Sequence, residues 1–203
     1  MSHTGLIIVD VQNDFCEGGA LEVPHASEIV PRINAISGKF DAVVLTQDWH
    51  PAHHNSFAEN HAEKGPYQSY EASYGEQILW PTHCVQGSEG AAFHPELETR
   101  CSHLIIRKGF RAHIDSYSAF FENDKVTPTG LHGYLQDLSI TRLVVVGLAY
   151  DFCVQFSALD AALLGYDTTV VTSLCRSIDL NGSKAAATVD MKQAGISLVD
   201  AVS

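Results

Sequence analysis

Six short runs rich in β-branched and other apolar residues recur along the chain, near 5–10, 42–46, 104–107, 143–147, 168–172 and 196–199. Helix-compatible stretches lie among them, near 25–38, 131–138, 153–165 and 182–194. Strands alternating with helices form βαβ units, which build a parallel sheet covered on both faces. In an open sheet of this kind the ligand crevice lies at the carboxyl ends of the strands. The strand ends are therefore where chemistry is expected.

Three of those ends carry reactive side chains. Gly5-Leu6-Ile7-Ile8-Val9 runs into Asp10, and Leu104-Ile105-Ile106-Arg107 runs into Lys108. Leu143-Val144-Val145-Val146 leads through Gly147-Leu148-Ala149-Tyr150-Asp151-Phe152 to Cys153, placed in the first turn of the next helix. A thiol there feels the positive end of the helix dipole, which favours the nucleophilic thiolate. Each residue has a plainer reading. Asp10 can be a cap or turn residue, Lys108 a solvated strand end, and Cys153 a small buried apolar group. Together they bring a proton acceptor, a cation and a thiol to one edge of the sheet.

The 203 residues suit one domain, 1–203, with its own core. A hydrophobic content of 45% with 18% charged residues fits a globular protein in solution. No apolar run approaches the roughly 20 residues that cross a bilayer. The N-terminus shows no basic stretch with a cleavable apolar segment, so a cytoplasmic location is expected. A net charge of −12 argues against a nucleic-acid surface. The five cysteines, Cys16, Cys84, Cys101, Cys153 and Cys175, are odd in number and form no C-x-x-C pair, so free thiols are expected.

Residues 47–103 interrupt the strand–helix rhythm and carry the histidines at 50, 53, 54, 61, 83 and 94. Long insertions in compact domains are usually functional. Asp48-Trp49-His50 directly follows the run Val43-Val44-Leu45. A carboxylate and an imidazole two residues apart can converge on one ion, although two solvated loop residues would look the same. His83 adds a further donor. One carboxylate with two imidazoles is a common set for a divalent metal and leaves positions open for water or substrate.

Taken in order, Ile8-Val9-Asp10-Val11-Gln12-Asn13-Asp14-Phe15, Thr46-Gln47-Asp48-Trp49-His50-Pro51, Trp80-Pro81-Thr82-His83-Cys84-Val85, Arg107-Lys108-Gly109, Asp115-Ser116-Tyr117-Ser118-Ala119-Phe120 and Gly147-Leu148-Ala149-Tyr150-Asp151-Phe152-Cys153 span almost the whole chain. They resemble the segments of nicotinamidases, members of the isochorismatase-like cysteine hydrolases. The resemblance implies a three-layer α/β/α sandwich around a six-stranded parallel sheet. It also implies hydrolysis of nicotinamide to nicotinate and ammonia in NAD salvage, with pyrazinamide as a second substrate.

Position by position, the resemblance implies Asp10, Lys108 and Cys153 as the catalytic set. The backbone amides of Ala149 and Cys153 would form the oxyanion hole, with a cis bond between Leu148 and Ala149. Asp48, His50 and His83 would hold one divalent metal ion, zinc first, with iron(II) and manganese(II) as alternatives. Phe15, Trp80 and Tyr117 would line the substrate pocket. Some family members add a further metal ligand after the D-x-H motif; His53, His54 and Glu59 lie in that region and read first as solvated loop residues. His94, in Phe93-His94-Pro95-Glu96, reads as structural. One departure stands out: nicotinamidases commonly have Thr where this chain has Tyr150, whose phenol either leaves the site or reshapes its wall.

The expected partner is a small aromatic amide, with no nucleic acid or membrane partner, and a homo-oligomer stays open. Two other readings compete. One is a metal-independent cysteine hydrolase of a carbamoyl or ureido compound, which shares the Asp, Lys and Cys but lacks the metal set. The other is a non-catalytic binding member of the same superfamily.

Overall fold

Strand β1 (His3–Val9) and strand β6 (Ile140–Gly147) bury the apolar runs 5–9 and 143–147 as the central pair of the sheet. The structure is a computed structural model and describes residues 3–201. Around that pair lie β2 (Ala42–Asp48) and β5 (Leu104–Lys108) on one side, with β7 (Asp167–Cys175) and β8 (Ser197–Val199) on the other. The order is β5-β2-β1-β6-β7-β8, and every neighbouring pair is parallel. All seven residues of β2 are buried, as expected of a strand covered on both faces.

The chain moves outward through β1, β2 and β5, then returns to β6 beside β1 and moves outward the other way. The order therefore reverses between β1 and β6, which opens a crevice beyond their carboxyl ends. The connecting helices are α1 (Val30–Ser37), α2 (Leu131–Asp137), α3 (Gln155–Leu163) and α4 (Ser183–Gln193). Right-handed crossovers in opposite directions send α1 to one face and α3 and α4 to the other; α3 and α4 pack on each other. This is the expected α/β/α arrangement.

Two details differ from the sequence expectation. The stretch near 25–38 divides into a 3-10 turn, Ala26–Ile29, followed by α1. Residues 47–103 contain an antiparallel hairpin, β3 (Ser69–Ala72) with β4 (Gly75–Ile78), pairing Ser69 with Ile78. Its eight residues show no apolar alternation, and Gln77 alone among them is buried, so the period that reveals a strand is missing.

Gly147 shows how the crevice is shaped. It has φ +114°, and a Cβ there would stand 2.2 Å from the Val9 carbonyl oxygen. Without a side chain, β6 passes close to β1, and the Leu148 N–H donates to Val9 O at 2.9 Å. That contact carries the segment after β6 across the end of β1.

Candidate active site

Lys108, the last residue of β5, has no exposed surface. A buried ammonium is costly unless paired, and here it stands between two carboxylates. Its Nζ lies 2.8 Å from Asp10 Oδ2, donates to Asp48 Oδ1, and donates to Ser116 O at 3.1 Å. Cys153 Sγ lies 3.5 Å away. Asp10 follows β1 immediately and Asp48 ends β2, so neighbouring strands in the order β5-β2-β1 supply the three charges. The Asp10 carboxylate is oriented by Thr46 of β2, whose Oγ1 donates to Oδ1 at 2.5 Å. Among the described residues, Oδ2 has the ammonium beside it but no aligned hydrogen-bond donor.

These environments drive the two carboxyls apart. Burial raises Asp10 to about 6, with Lys108 opposing and the Asp48 charge adding to the rise. Burial also opposes the Asp48 anion, but Lys108, His50 and His83 hold its carboxyl well below the usual range. Lys108 itself is disfavoured by burial and raised well above its ordinary value by Asp10 and Asp48. It stays charged.

Cys153 lies in the opening turn of a helical segment, a π turn, Tyr150–Val154, that runs directly into α3. The N–H groups of Phe152 and Val154 both donate to Ala149 O, at 3.1 Å each. Burial pushes the thiol well above its ordinary value; Lys108 opposes this, while Asp10 and Asp48 reinforce it. Burial thus works against the dipole-stabilised thiolate expected from the sequence. The Leu148–Ala149 peptide is cis. Ala149 and Cys153 both line the cleft, and among the described residues the Ala149 N–H finds no acceptor.

Asp48, His50 and His83 come together on the other side of Lys108. Asp48 Oδ2 is 3.5 Å from His50 Nε2 and 3.9 Å from His83 Nε2. The two rings are oriented from behind, since His50 Nδ1 meets Gly109 O at 2.8 Å and His83 Nδ1 meets Pro81 O at 2.7 Å. A carbonyl only accepts, so each Nδ1 carries the hydrogen and each Nε2 can present a lone pair. Gly109 permits this approach: at φ +64°, a Cβ would stand 2.3 Å from the His50 ring. Burial opposes a charged His50, yet Asp48 raises it above its ordinary value, while burial and His50 lower His83 to about 4.

Among the described residues, two other clusters have ligand-type atoms close together, but their chemistry differs. In Asp10–Asp48–Cys153 the cation is already supplied by Lys108. In His50–His54–Asp115, His54 has no lone pair left: its Nε2 meets Ile114 O at 3.2 Å and its Nδ1 meets Ser56 Oγ at 2.7 Å. Asp48, His50 and His83 are therefore the donors that fit a divalent ion. His54 is fully buried rather than solvated, which corrects that expectation; its ring packs at a tilt of 45° against His50, with centroids 4.4 Å apart. His53 and Glu59 are exposed. His94 caps a loop, its N–H donating to Val11 O at 3.0 Å and its Nδ1 accepting from the Glu96 N–H at 3.2 Å.

Phe15, Trp80 and Tyr117 all line the cleft above these groups, joined by Leu21, Phe152, Ile178 and Asp115. Trp80 packs edge-on against Phe152 at 4.9 Å, and its Nε1–H donates to the Tyr117 hydroxyl at 3.0 Å. Tyr150 is absent from this lining: its hydroxyl meets Thr188 Oγ1 at 2.9 Å on the other side of the turn. The phenol thus leaves the site.

Several supporting residues escaped the sequence reading. Gln12 donates to Asp48 O and Ala91 O, each at 2.9 Å, and accepts the Asp48 N–H at 2.8 Å. Asp14 Oδ2 accepts the Cys84 N–H at 2.6 Å beside His83. Gln77 donates to Asp115 Oδ2 at 2.8 Å and to the Tyr117 hydroxyl at 3.2 Å. Gln12, Asp14 and Asp115 lie inside the motif segments, so proximity was their available signal; Gln77 had none.

Residues 4–202 match the isochorismatase domain family. The chain is 48% identical to a nicotinamidase of Acinetobacter baylyi, over 96% of this chain and 91% of that protein. A solved nicotinamidase/pyrazinamidase of Acinetobacter baumannii superposes with a TM-score of 0.96 at 52% identity, covering 98% of this chain and 96% of that one. A Pyrococcus horikoshii pyrazinamidase solved in complex with zinc superposes with a TM-score of 0.79 at 32% identity, over 98% and 99% of the two chains. The chain accordingly belongs to the isochorismatase family, among its nicotinamidase and pyrazinamidase members.

Proposed function

We propose that this protein hydrolyses nicotinamide to nicotinate and ammonia, accepts pyrazinamide, and so serves NAD salvage. The observation that carries the reading is Lys108 holding Asp10 at 2.8 Å and Cys153 at 3.5 Å at the floor of an aromatic cleft. The names of the similar Acinetobacter proteins agree with it.

Cys153 is the nucleophile and Asp10 the proton carrier. Asp10, raised to about 6, is ionised at neutral pH yet basic enough to accept the thiol proton. Sulfur attacks the carboxamide carbon as Oδ2 takes that proton, and Lys108 stabilises the separated charges. The carbonyl oxygen becomes an oxyanion and is met by the Ala149 and Cys153 N–H groups. Asp10 passes its proton to the amide nitrogen, the C–N bond breaks, and ammonia leaves behind a thioester. Water then attacks the thioester, Asp10 takes one of its protons, and that proton returns to sulfur as nicotinic acid leaves and gives up its remaining proton to solvent as nicotinate.

Asp48, His50 and His83 would hold one divalent ion, for which the zinc-bound Pyrococcus relative makes zinc the first candidate. When bound, the metal would hold the ring nitrogen and orient the substrate. This donor set favours the nicotinamidase reading over a metal-independent carbamoyl or ureido hydrolase. Ammonia release from nicotinamide by purified protein of measured metal content tests the proposal. Release from a ureido compound but not from nicotinamide would reverse the choice.

A further inference from the structure

Ala149 and Cys153 bracket a side chain that the chemistry above does not use. Asp151 stands between them in the turn Tyr150–Val154, yet it does not line the cleft and is 2% exposed. A buried carboxylate is costly without a cation or donors. Among the described residues no cationic side chain pairs with it. Three donors meet it instead. The Ile178 N–H donates to Oδ1 at 3.0 Å, and the Asp179 N–H and the Ser183 hydroxyl donate to Oδ2 at 2.7 Å and 2.5 Å. All three come from the link between β7 and α4 and the first residue of that helix.

That link is costly to hold in shape. Asp179 has φ +58° and Asn181 φ +52°, two non-glycine residues in the left-handed region, and Gly182 follows at φ +86°. Such backbone persists where the surrounding structure over-determines it, and the Asp151 carboxylate supplies that constraint. A second bond runs beside it, from the Tyr150 N–H to Arg176 O at 2.7 Å. The link in turn reaches the cleft, because Ile178 lines it together with Ala149, Phe152 and Cys153. One side chain, facing away from the cleft, thus joins the catalytic turn to a wall of the pocket.

We propose, resting on the reading that Cys153 attacks an amide, that Asp151 is a positioning residue. It fastens the Ala149–Cys153 turn to the link 176–183, and so aims the two oxyanion N–H groups while seating Ile178 on the cleft wall. Hydrogen bonds from N–H groups to a carboxylate are short and strong, and they fix the turn more sharply than packing alone. Oxyanion donors act on charge that develops in the transition state. A turn that shifts slightly should therefore lose rate before it loses substrate binding.

Asp151→Asn keeps the size of the side chain but only one acceptor oxygen, so at least one of the two backbone N–H groups loses its partner. On full-length, metal-loaded protein, kcat for nicotinamide should fall about 10–100-fold while KM stays within about threefold. Nicotinaldehyde gives a second readout. The Cys153 sulfur adds to its carbonyl carbon, the C=O π bond opens, and the thiol proton ends on the oxygen, which then lies in the oxyanion hole. Its inhibition constant should rise by about the factor lost from kcat. Ser183→Ala, at a half-buried position, removes the hydroxyl donor and leaves both backbone bonds, so it should show the same pattern at a few-fold. A rise in KM with kcat unchanged, or an unchanged inhibition constant for the aldehyde, overturns the positioning role. If Asp151→Asn fails to fold, Ser183→Ala decides by the same two readouts. Wild-type protein that releases no ammonia from nicotinamide overturns the proposed function instead. Amide hydrogen exchange of Ser183→Ala, which needs no substrate, then decides: it should quicken in 149–154 as well as in 178–183. Unchanged exchange in 149–154 overturns the tie.

Discussion

Asp10 and Lys108 are held at the ends of parallel strands, whereas Trp80, His83 and Gln77 are held in the insertion between β2 and β5, and the two regions position side chains by different means. In the first, β1, β2 and β5 are neighbours, so their ends are brought together by the ladder itself. In the second, loops are tied by single contacts. The His50 N–H donates to Cys84 O at 3.0 Å, Asp14 accepts from Cys84, and Gln77 reaches across to Asp115 and Tyr117. The first region bears the proposed bond-breaking groups, and the second bears those that would select the ring. Asp48 belongs to both, with Oδ1 on Lys108 and Oδ2 toward the histidines.

If this division is right, variants of the sheet-end groups should remove turnover and spare ring binding. Cys153→Ala should lower kcat by at least about 10³-fold, since no other group replaces the sulfur. Nicotinamide binding, measured by calorimetry, should persist. Ammonia release near the wild-type rate would remove Cys153 from its role and erase the division. Asp10→Asn should follow, with a loss of about 10²–10⁴-fold. Asp10 works as a base only when ionised. With burial raising it to about 6, kcat/KM should decline as pH falls through that value and level off above it. A profile in which Asp10→Asn keeps the same acid limb would assign that limb to another group.

The first region was the more legible from sequence, for a physical reason. A strand end is marked twice, by the apolar run before it and by the polar residue that breaks it, so Asp10, Asp48 and Lys108 could be placed without contacts. Cys153 was located, but its π turn and its deep burial leave no mark on residue spacing. The insertion was legible only where motifs ran through it. Gln77 lies on a hairpin of mixed polar residues, and His54 looks like any loop histidine until Ser56 and Ile114 are seen around it. Tyr150 could not be oriented either, since Thr188, which its hydroxyl meets, is 38 residues away.

Variants of the insertion should show the reverse pattern. His50→Ala and His83→Ala should lose bound metal by elemental analysis, whereas His94→Ala should retain it. Asp48→Ala should lose metal and also disturb Lys108, so its kcat should fall furthest of the three. Metal loss in His94→Ala with retention in His83→Ala would show that the wrong histidine completes the site. Substrate choice probes the same region without mutation. Benzamide has the scissile amide of nicotinamide but no ring nitrogen, so its kcat/KM on metal-loaded enzyme should be lower. Equal values would mean that the insertion does not read the ring.

The smallest expected effect is also the one that isolates the hairpin. Gln77→Ala removes the donor to Asp115 Oδ2 and to the Tyr117 hydroxyl, and touches none of Asp10, Lys108 or Cys153. Leaving a buried acceptor unsatisfied costs about 1–3 kcal/mol, which should appear as a modest fall in denaturation midpoint. Tyr117 still receives the Trp80 N–H at 3.0 Å, so the aromatic wall should loosen without collapsing. KM for nicotinamide should then rise several-fold while kcat changes little, because the ring is held less well and the reacting groups stay in place. A matching fall in kcat with KM unchanged would mean that the hairpin governs the floor as well as the wall. In that case the cleft would be one mechanical unit and not two.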